Sequence, residues 1–219
     1  MASARGAGRV VSTRRENAAD KRRVILDAAI RVFAREGFHR CRVSDIAREA
    51  NVAYGLVYHY FRSKDEVLDT LFTERWTLLL EAIAAESRRT DCSARDKLQA
   101  VAAFIVDSYR NDPHLMKVII VEVTRAANTF GRAHLAEIRQ AYESISAIVA
   151  TGQEDGTFRS DIAPDFATLC FYGAIEQLLT AWIFDEITMS PAEYDQACEM
   201  LVDTICNGLA VRTQAQAQV

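Results

Sequence analysis

The chain has 219 residues, half of them apolar and 26% charged, which excludes a disordered, collagen-like or fibrous protein and allows a core without metal or disulfide staples. Nine glycines and three prolines cannot supply the closely spaced turns of a β-sandwich or barrel, so the expected fold class is all-α. The formal net charge of −4 argues by itself against nucleic acid, whose binders are basic.

Residues 1–16 are rich in Arg, Gly, Ala and Ser without apolar periodicity, which reads as a disordered basic arm. Val24, Ile25, Ala28, Ala29, Val32 and Phe33 recur at helical spacing, and Gly37 is a plausible left-handed stop. Two short helices follow: one marked by Val43, Ile46, Ala47 and Ala50, the other running from Tyr54 to Phe61, with a turn at Asn51 between them. Ser63 and Glu66 form a capping box that opens a long helix ending near Arg88. Ser93 opens the next, Asp112-Pro113 ends it and starts another, and a long helix begins at about Gly131. Pro164 starts a helix that is apolar nearly all round, which calls for burial on more than one side. Ser190-Pro191-Ala192-Glu193 is a second capping box, opening the last helix. The total is about nine helices, with a flexible tail over 212–219.

Five scattered cysteines without a Cys-x-x-Cys pair read as reduced thiols acting as small apolar residues in the cytoplasm. No apolar run reaches the roughly 18 residues of a membrane span, and the Arg-rich start lacks the apolar core of a secretory signal. Four isolated histidines (His39, His59, His114, His134) show no metal-ligand spacing. No phosphate loop, nucleophile elbow or zinc-protease motif occurs, so no catalytic residue, metal or cofactor is expected.

The informative segment is Ser44 to Phe61, two short helices joined at Ala50-Asn51-Val52 as in a helix-turn-helix. A helix that enters the major groove must be exposed and free of acidic side chains, and Tyr54 to Phe61 contains none. Gly55 lets the backbone approach phosphates, and tyrosine hydroxyls can donate to phosphate oxygens. The N-terminus of the next helix, at Lys64, offers backbone N–H groups and an ammonium to another phosphate. Alternatively Tyr54, Tyr58 and Tyr60 are core aromatics beside Phe61. Two tyrosines two positions apart cannot share one core face, so at least one of Tyr58 and Tyr60 faces outward.

Residues 24–72 resemble the TetR family of bacterial repressors. The similarity runs in fixed register through Val24 to Gly37, Val43 to Val52 and Gly55 to Leu68. It implies a helix-turn-helix domain over 17–64 and a ligand-binding and dimerising domain over 65–211. The DNA contacts it implies are Arg42, Val43, Ser44, Ala53, Tyr54, Gly55, Tyr58, His59 and Lys64. Three positions depart from the family pattern: Arg42 stands where Thr is usual, Asn51 where Gly is usual, and Ala53 where a capping Ser is usual. Loss of that cap costs about 1 kcal/mol.

The implied partners are a double-stranded DNA operator and a second copy of the chain, paired through helices 164–186 and 191–209. Residues 152–164 and the Phe171-Tyr172-Gly173 helix look, more loosely, like the fatty-acid-degradation repressors of this family. That resemblance implies a small hydrophobic effector, a long-chain acyl-CoA. Phe104, Tyr109, Met116, Ile120, Phe171, Leu178 and Trp182 are candidates to line an acyl tunnel, and Arg125, Arg132 and Arg139 to meet phosphates. Ordinary core aromatics and a solvated arginine face would look the same. A regulator of drug efflux or another catabolic system, with a hydrophobic ligand lacking CoA, is the alternative; a protein-binding helical adaptor is more remote.

The charge divides unevenly. Residues 1–64 hold 14 Lys/Arg against 6 Asp/Glu, a net of +8, and residues 65–219 hold 12 against 24, a net of −12. A basic head on an acidic body supports DNA binding by one end and places a compositional boundary near residue 64.

Overall fold

The structure is a computed structural model that describes residues 5–124, 134–184, 187 and 189–209. Its described residues form nine α-helices and no β-strand. They are α1 (Arg5–Glu36), α2 (Val43–Glu49), α3 (Tyr54–Tyr60), α4 (Lys64–Ser87) and α5 (Ala94–Asn111). Then come α6 (Pro113–Val118), which continues as π-helical turns over Ile119–Thr124, α7 (Leu135–Glu154), α8 (Pro164–Phe184) and α9 (Pro191–Leu209). The chain divides into two compact units, the first ending at Phe72 and the second beginning at Thr73.

In the first unit α1 contributes the apolar face its spacing foretells: Ile25, Ala28, Ala29, Val32 and Phe33 are buried. Helix α2 adds Ile46 and Ala47, α3 adds Val57, and Phe61, Val67, Leu68, Leu71 and Phe72 complete the core. Gly37, at φ 81°, ends α1, and its N–H donates to the Phe33 carbonyl at 2.9 Å. Asn51 takes the left-handed conformation, φ 52°, in the turn between α2 and α3. Charge holds α1 to α2: Arg31 Nε donates to Glu49 Oε1 at 2.8 Å, and Arg35 Nη1 lies 3.3 Å from Glu49 Oε2. These donors pull the Glu49 carboxyl below its ordinary range, Arg31 most strongly.

Two expectations change here. Helix α1 begins at Arg5, so residues 5–16 are helical where a disordered arm was expected. Once packed turns exist further along, a helix can extend without a second nucleation cost, and Arg and Ala favour it. The packing boundary also lies beyond the charge boundary at 64, because the first turns of α4 bury their apolar residues in the first core.

In the second unit, Ser93 caps α5 by accepting from Asp96 N–H, and Asp112 caps α6 by accepting from Leu115 N–H at 2.9 Å, with Pro113 in the first turn. Ser190 and Glu193 close the second capping box, Ser190 N–H donating to Glu193 Oε2 at 2.7 Å. The expected start of α7 near Gly131 lies outside the described residues, and α7 is described from Leu135. The core joins Leu98, Val101, Ala102 and Ile105 of α5, Ile145, Ile148 and Val149 of α7, Phe171, Ile175 and Leu179 of α8, and Cys198, Val202 and Cys206 of α9.

By length and composition α8 could cross a membrane, where no span was expected. Its mean hydropathy is high although polar residues break every long apolar run. Its buried residues serve the core of the second unit.

Gly152 of α7 is packed against the loop that follows. A Cβ there would lie 2.5 Å from Phe158 Cδ2 and 2.8 Å from Ala94 Cβ. Gly152→Ala is therefore expected to destabilise the second unit by about 1–3 kcal/mol through overpacking, read as a lower thermal midpoint by circular dichroism. An unchanged midpoint would contradict this packing.

Candidate functional site

Helix α3 is tied down on one side only. Val57 and Phe61 are 1% and 2% exposed, whereas Tyr54 and Tyr58 are 54% and 44% exposed. Gly55 and His59 are also exposed, and Tyr60 is half-buried. So Tyr58 faces outward, and the core-aromatic alternative fails for Tyr54 and Tyr58. The two hydroxyls lie 3.1 Å apart and the rings 5.0 Å apart in an edge-to-face pair. That hydrogen bond is the main cause raising the Tyr54 pKa, so its hydroxyl stays a neutral donor. A Cβ at Gly55 would meet open space, so nothing in the protein itself demands glycine there.

Ala53 stands at the N-cap of α3 in extended conformation with no side-chain cap, and its carbonyl accepts from Leu56 N–H at 2.8 Å. Arg42 and Ser44 are exposed and Val43 is half-buried at the start of α2. Arg42 N–H donates to Asp45 Oδ2 at 2.8 Å, which supplies the capping contact that an Arg side chain cannot. The exposed surface from Arg42 to His59 thus gathers a cation and hydroxyl donors, with Asp45 turned back onto its own helix end.

Lys64 is placed differently from its expected role. Its ammonium donates to the carbonyls of Phe38 at 2.8 Å, His39 at 3.3 Å and Cys41 at 3.2 Å, and lies 4.5 Å from the Phe38 ring centroid. An ammonium has three protons, so here all are used. Lys64 fastens the loop between α1 and α2. Ser63 Oγ accepts from Glu66 N–H at 3.1 Å and Glu66 Oε2 accepts from Arg62 N–H at 2.6 Å, which closes the cap of α4.

The second unit holds a cavity lined by Arg75, Trp76 and Leu79 of α4, Ile105 of α5, Met116, Ile119 and Ile120 of α6 and its π-helical continuation, and Tyr172, Ile175, Glu176 and Leu179 of α8. It is narrow, about 30 Å³, room for about two waters. Trp76 is fixed by its indole N–H, which donates to the Glu137 carbonyl at 2.9 Å. Burial lowers the Arg75 pKa, opposed by Asp112, and pushes the Tyr172 phenol far above its ordinary value.

Of the expected effector residues, Met116 and Ile120 line this cavity. Phe104 lies beside it, its ring centroid 4.9 Å from the Arg75 guanidinium carbon. Phe171 is core. Tyr109 and Trp182 pack on each other and on Tyr194, at 5.6, 6.1 and 5.1 Å between ring centroids, under a separate open hollow. Leu178 faces outward with Ala181, Met200 and Leu201. Arg139 is exposed, and Arg125 and Arg132 lie outside the described residues. The cavity residue missed by sequence reading is Arg75. It sits in register with Leu68, Leu71, Phe72 and Leu79, a helical face on which an arginine is out of place.

The outer faces of α8 and α9 expose Phe166, Leu169 and Met200, each more than half accessible, around a shallow groove lined by Ala174, Leu178, Ala181, Ala197 and Leu201.

A helix-turn-helix with an exposed, acid-free second helix, followed by a helical unit with an apolar cavity, defines a ligand-sensing DNA-binding regulator. Comparison with known proteins agrees. Residues 25–71 match the model for bacterial regulatory proteins of the tetR family, and residues 95–205 match the tetracyclin repressor-like C-terminal domain. The chain is 30% identical over 190 residues to the fatty acid metabolism regulator protein of Bacillus subtilis, spanning 84% of this chain and 94% of that protein. It is 26% identical over 195 residues to the transcriptional repressor NicS of Pseudomonas putida, 85% and 92% of the two chains. The fold matches the fatty acid degradation regulator FadR from Bacillus halodurans with a TM-score of 0.77 at 23% identity, over 88% and 97% of the two chains. It also matches FadR from Bacillus subtilis in complex with stearoyl-CoA, TM-score 0.74 at 22% identity, over 85% and 98%. The chain belongs to the TetR family and is a TetR-type transcriptional repressor.

The carbonyl partners of Lys64 set up a test against its expected phosphate role. Lys64→Met should lower the thermal midpoint of the protein while leaving the salt dependence of DNA binding unchanged. A drop of about one in the slope of log affinity against log salt would identify a phosphate contact instead.

Proposed function

We propose that this protein binds a palindromic operator as a homodimer through the Arg42–His59 surface and is released from it by a fatty acyl-CoA. The observation that carries the effector reading is the cavity, with apolar walls from four helices of the second unit. Similarity to a fatty acid metabolism regulator over nearly its whole length supports an acyl ligand. At about 30 Å³ the cavity is far too small for an acyl chain. Binding therefore requires the walls to part, and a ligand that binds the parted arrangement better shifts the population toward it. The π-helical turns at Ile119–Thr124 are the weakest wall, since their backbone geometry is already irregular. A role on the chromosome places the chain in the cytoplasm and assigns it no catalysis.

The exposed apolar faces of α8 and α9 support pairing about a twofold axis as a four-helix interface. A dimer would set two α3 helices about 34–36 Å apart, one turn of DNA.

Two outcomes follow. In a gel-shift titration on duplex selected from random DNA, long-chain acyl-CoA should weaken binding by about tenfold or more, and CoA alone should not. Response only to a lipophilic compound without CoA would replace the effector. Leu169→Glu combined with Met200→Glu should give a folded monomer by analytical ultracentrifugation, with operator affinity lost. A surviving dimer would move the interface elsewhere.

A further inference from the structure

Arg75 is one of two charged residues in a cavity that is otherwise mainly hydrocarbon. It is half-buried on α4, with its guanidinium over the Phe104 ring at 4.9 Å. Among the described residues no carboxylate lies within ion-pair distance of it; Asp112 acts on it only through space. The second charged residue of the lining, Glu176, influences Tyr142 and Tyr172 and not Arg75. The cavity lining therefore carries one cationic residue, from α4, and one acidic residue, from α8. Retaining a partly desolvated guanidinium without a paired acid is costly to the empty protein, since a buried charge needs a partner. An acceptor group on a ligand would supply that partner through charge-assisted, bidentate hydrogen bonds.

We propose that Arg75 receives the polar head of the effector, so that the chain selects lipids that carry an anionic oxygen acceptor and orients them with the head on α4. This rests on the acyl reading above and sharpens it. The shared chemistry is an apolar chain joined to an anionic acceptor: the carboxylate of a free fatty acid, or the phosphates of its CoA ester.

The test measures binding of palmitoyl-CoA, palmitate and hexadecanol to the full-length wild type, Arg75→Met and Arg75→Lys by calorimetry. Methionine keeps an apolar stem of similar length, and hexadecanol reports whether the cavity itself survives. The expected result is that Arg75→Met weakens the acceptor-bearing ligands by roughly 10- to 100-fold, the range for a lost charged hydrogen bond. Hexadecanol binding should be unchanged, and Arg75→Lys should recover part of the loss. Preference of the wild type for palmitate identifies a carboxylate head, and preference for palmitoyl-CoA identifies the ester. Equal affinity of Arg75→Met and wild type for palmitoyl-CoA and palmitate would overturn the assignment while leaving the acyl reading intact. Equal loss of all three ligands would make Arg75 a packing residue and also overturn it. Failure of the wild type to bind any of the three would overturn the acyl reading and this inference with it.

Discussion

What the DNA-binding unit depends on is the one-sided anchoring of α3. A seven-residue helix is unstable by itself, because nucleation consumes more than so few hydrogen bonds return. Burial of Val57 and Phe61 holds it, and the left-handed Asn51 sets its angle to α2. The Glu49 pairs with Arg31 and Arg35 hold α2 to α1, and Lys64 closes the preceding loop from below. The contacts that fix α3 itself are buried on its inner side, while the Glu49 pairs lie at the surface. The outer side is left to Tyr54, Gly55, Tyr58 and His59, with no acidic side chain to repel phosphate.

The second unit places two demands on one helix. In α8, Leu179 lines the cavity of the second unit and its sequence neighbour Leu178 faces outward into the groove shared with α9. This explains an apolar surface nearly all the way round the helix. In the proposed reading the cavity wall and the dimer surface are opposite sides of the same rod. A ligand that parts the walls then acts, in that reading, on the element that pairs two protomers. Close packing makes such a wall switch between arrangements rather than deform gradually.

Helix boundaries were largely legible, because their signals are local. Ser63 with Glu66, Ser93 with Asp96, Asp112-Pro113 and Ser190 with Glu193 act within one turn, and all cap as their spacing implies. That at least one of Tyr58 and Tyr60 faces outward was legible from helical geometry, but not that it is Tyr58. What local signals leave open depends on distant neighbours. Lys64 beside a helix N-terminus looks like a phosphate ligand, yet its partners are carbonyls 23 to 26 positions earlier. Tyr109 and Trp182 look like tunnel walls, yet they stack on Tyr194. An apolar residue on a helix that is apolar all round can face a void, a core or a partner, and periodicity does not distinguish them. Arg75 was overlooked because an arginine between Glu74 and Trp76 reads as a solvated charge until its register with Leu71 and Leu79 is counted.

Amide hydrogen exchange on the dimer, first with a selected DNA duplex and then with acyl-CoA added, tests the whole account at once. The account predicts protection by DNA over residues 42–61 alone. Added acyl-CoA should remove that protection and slow exchange over 105–120 and 172–179. Protection by DNA on the acidic second unit, or acyl-CoA protection there with residues 42–61 still covered, would contradict it.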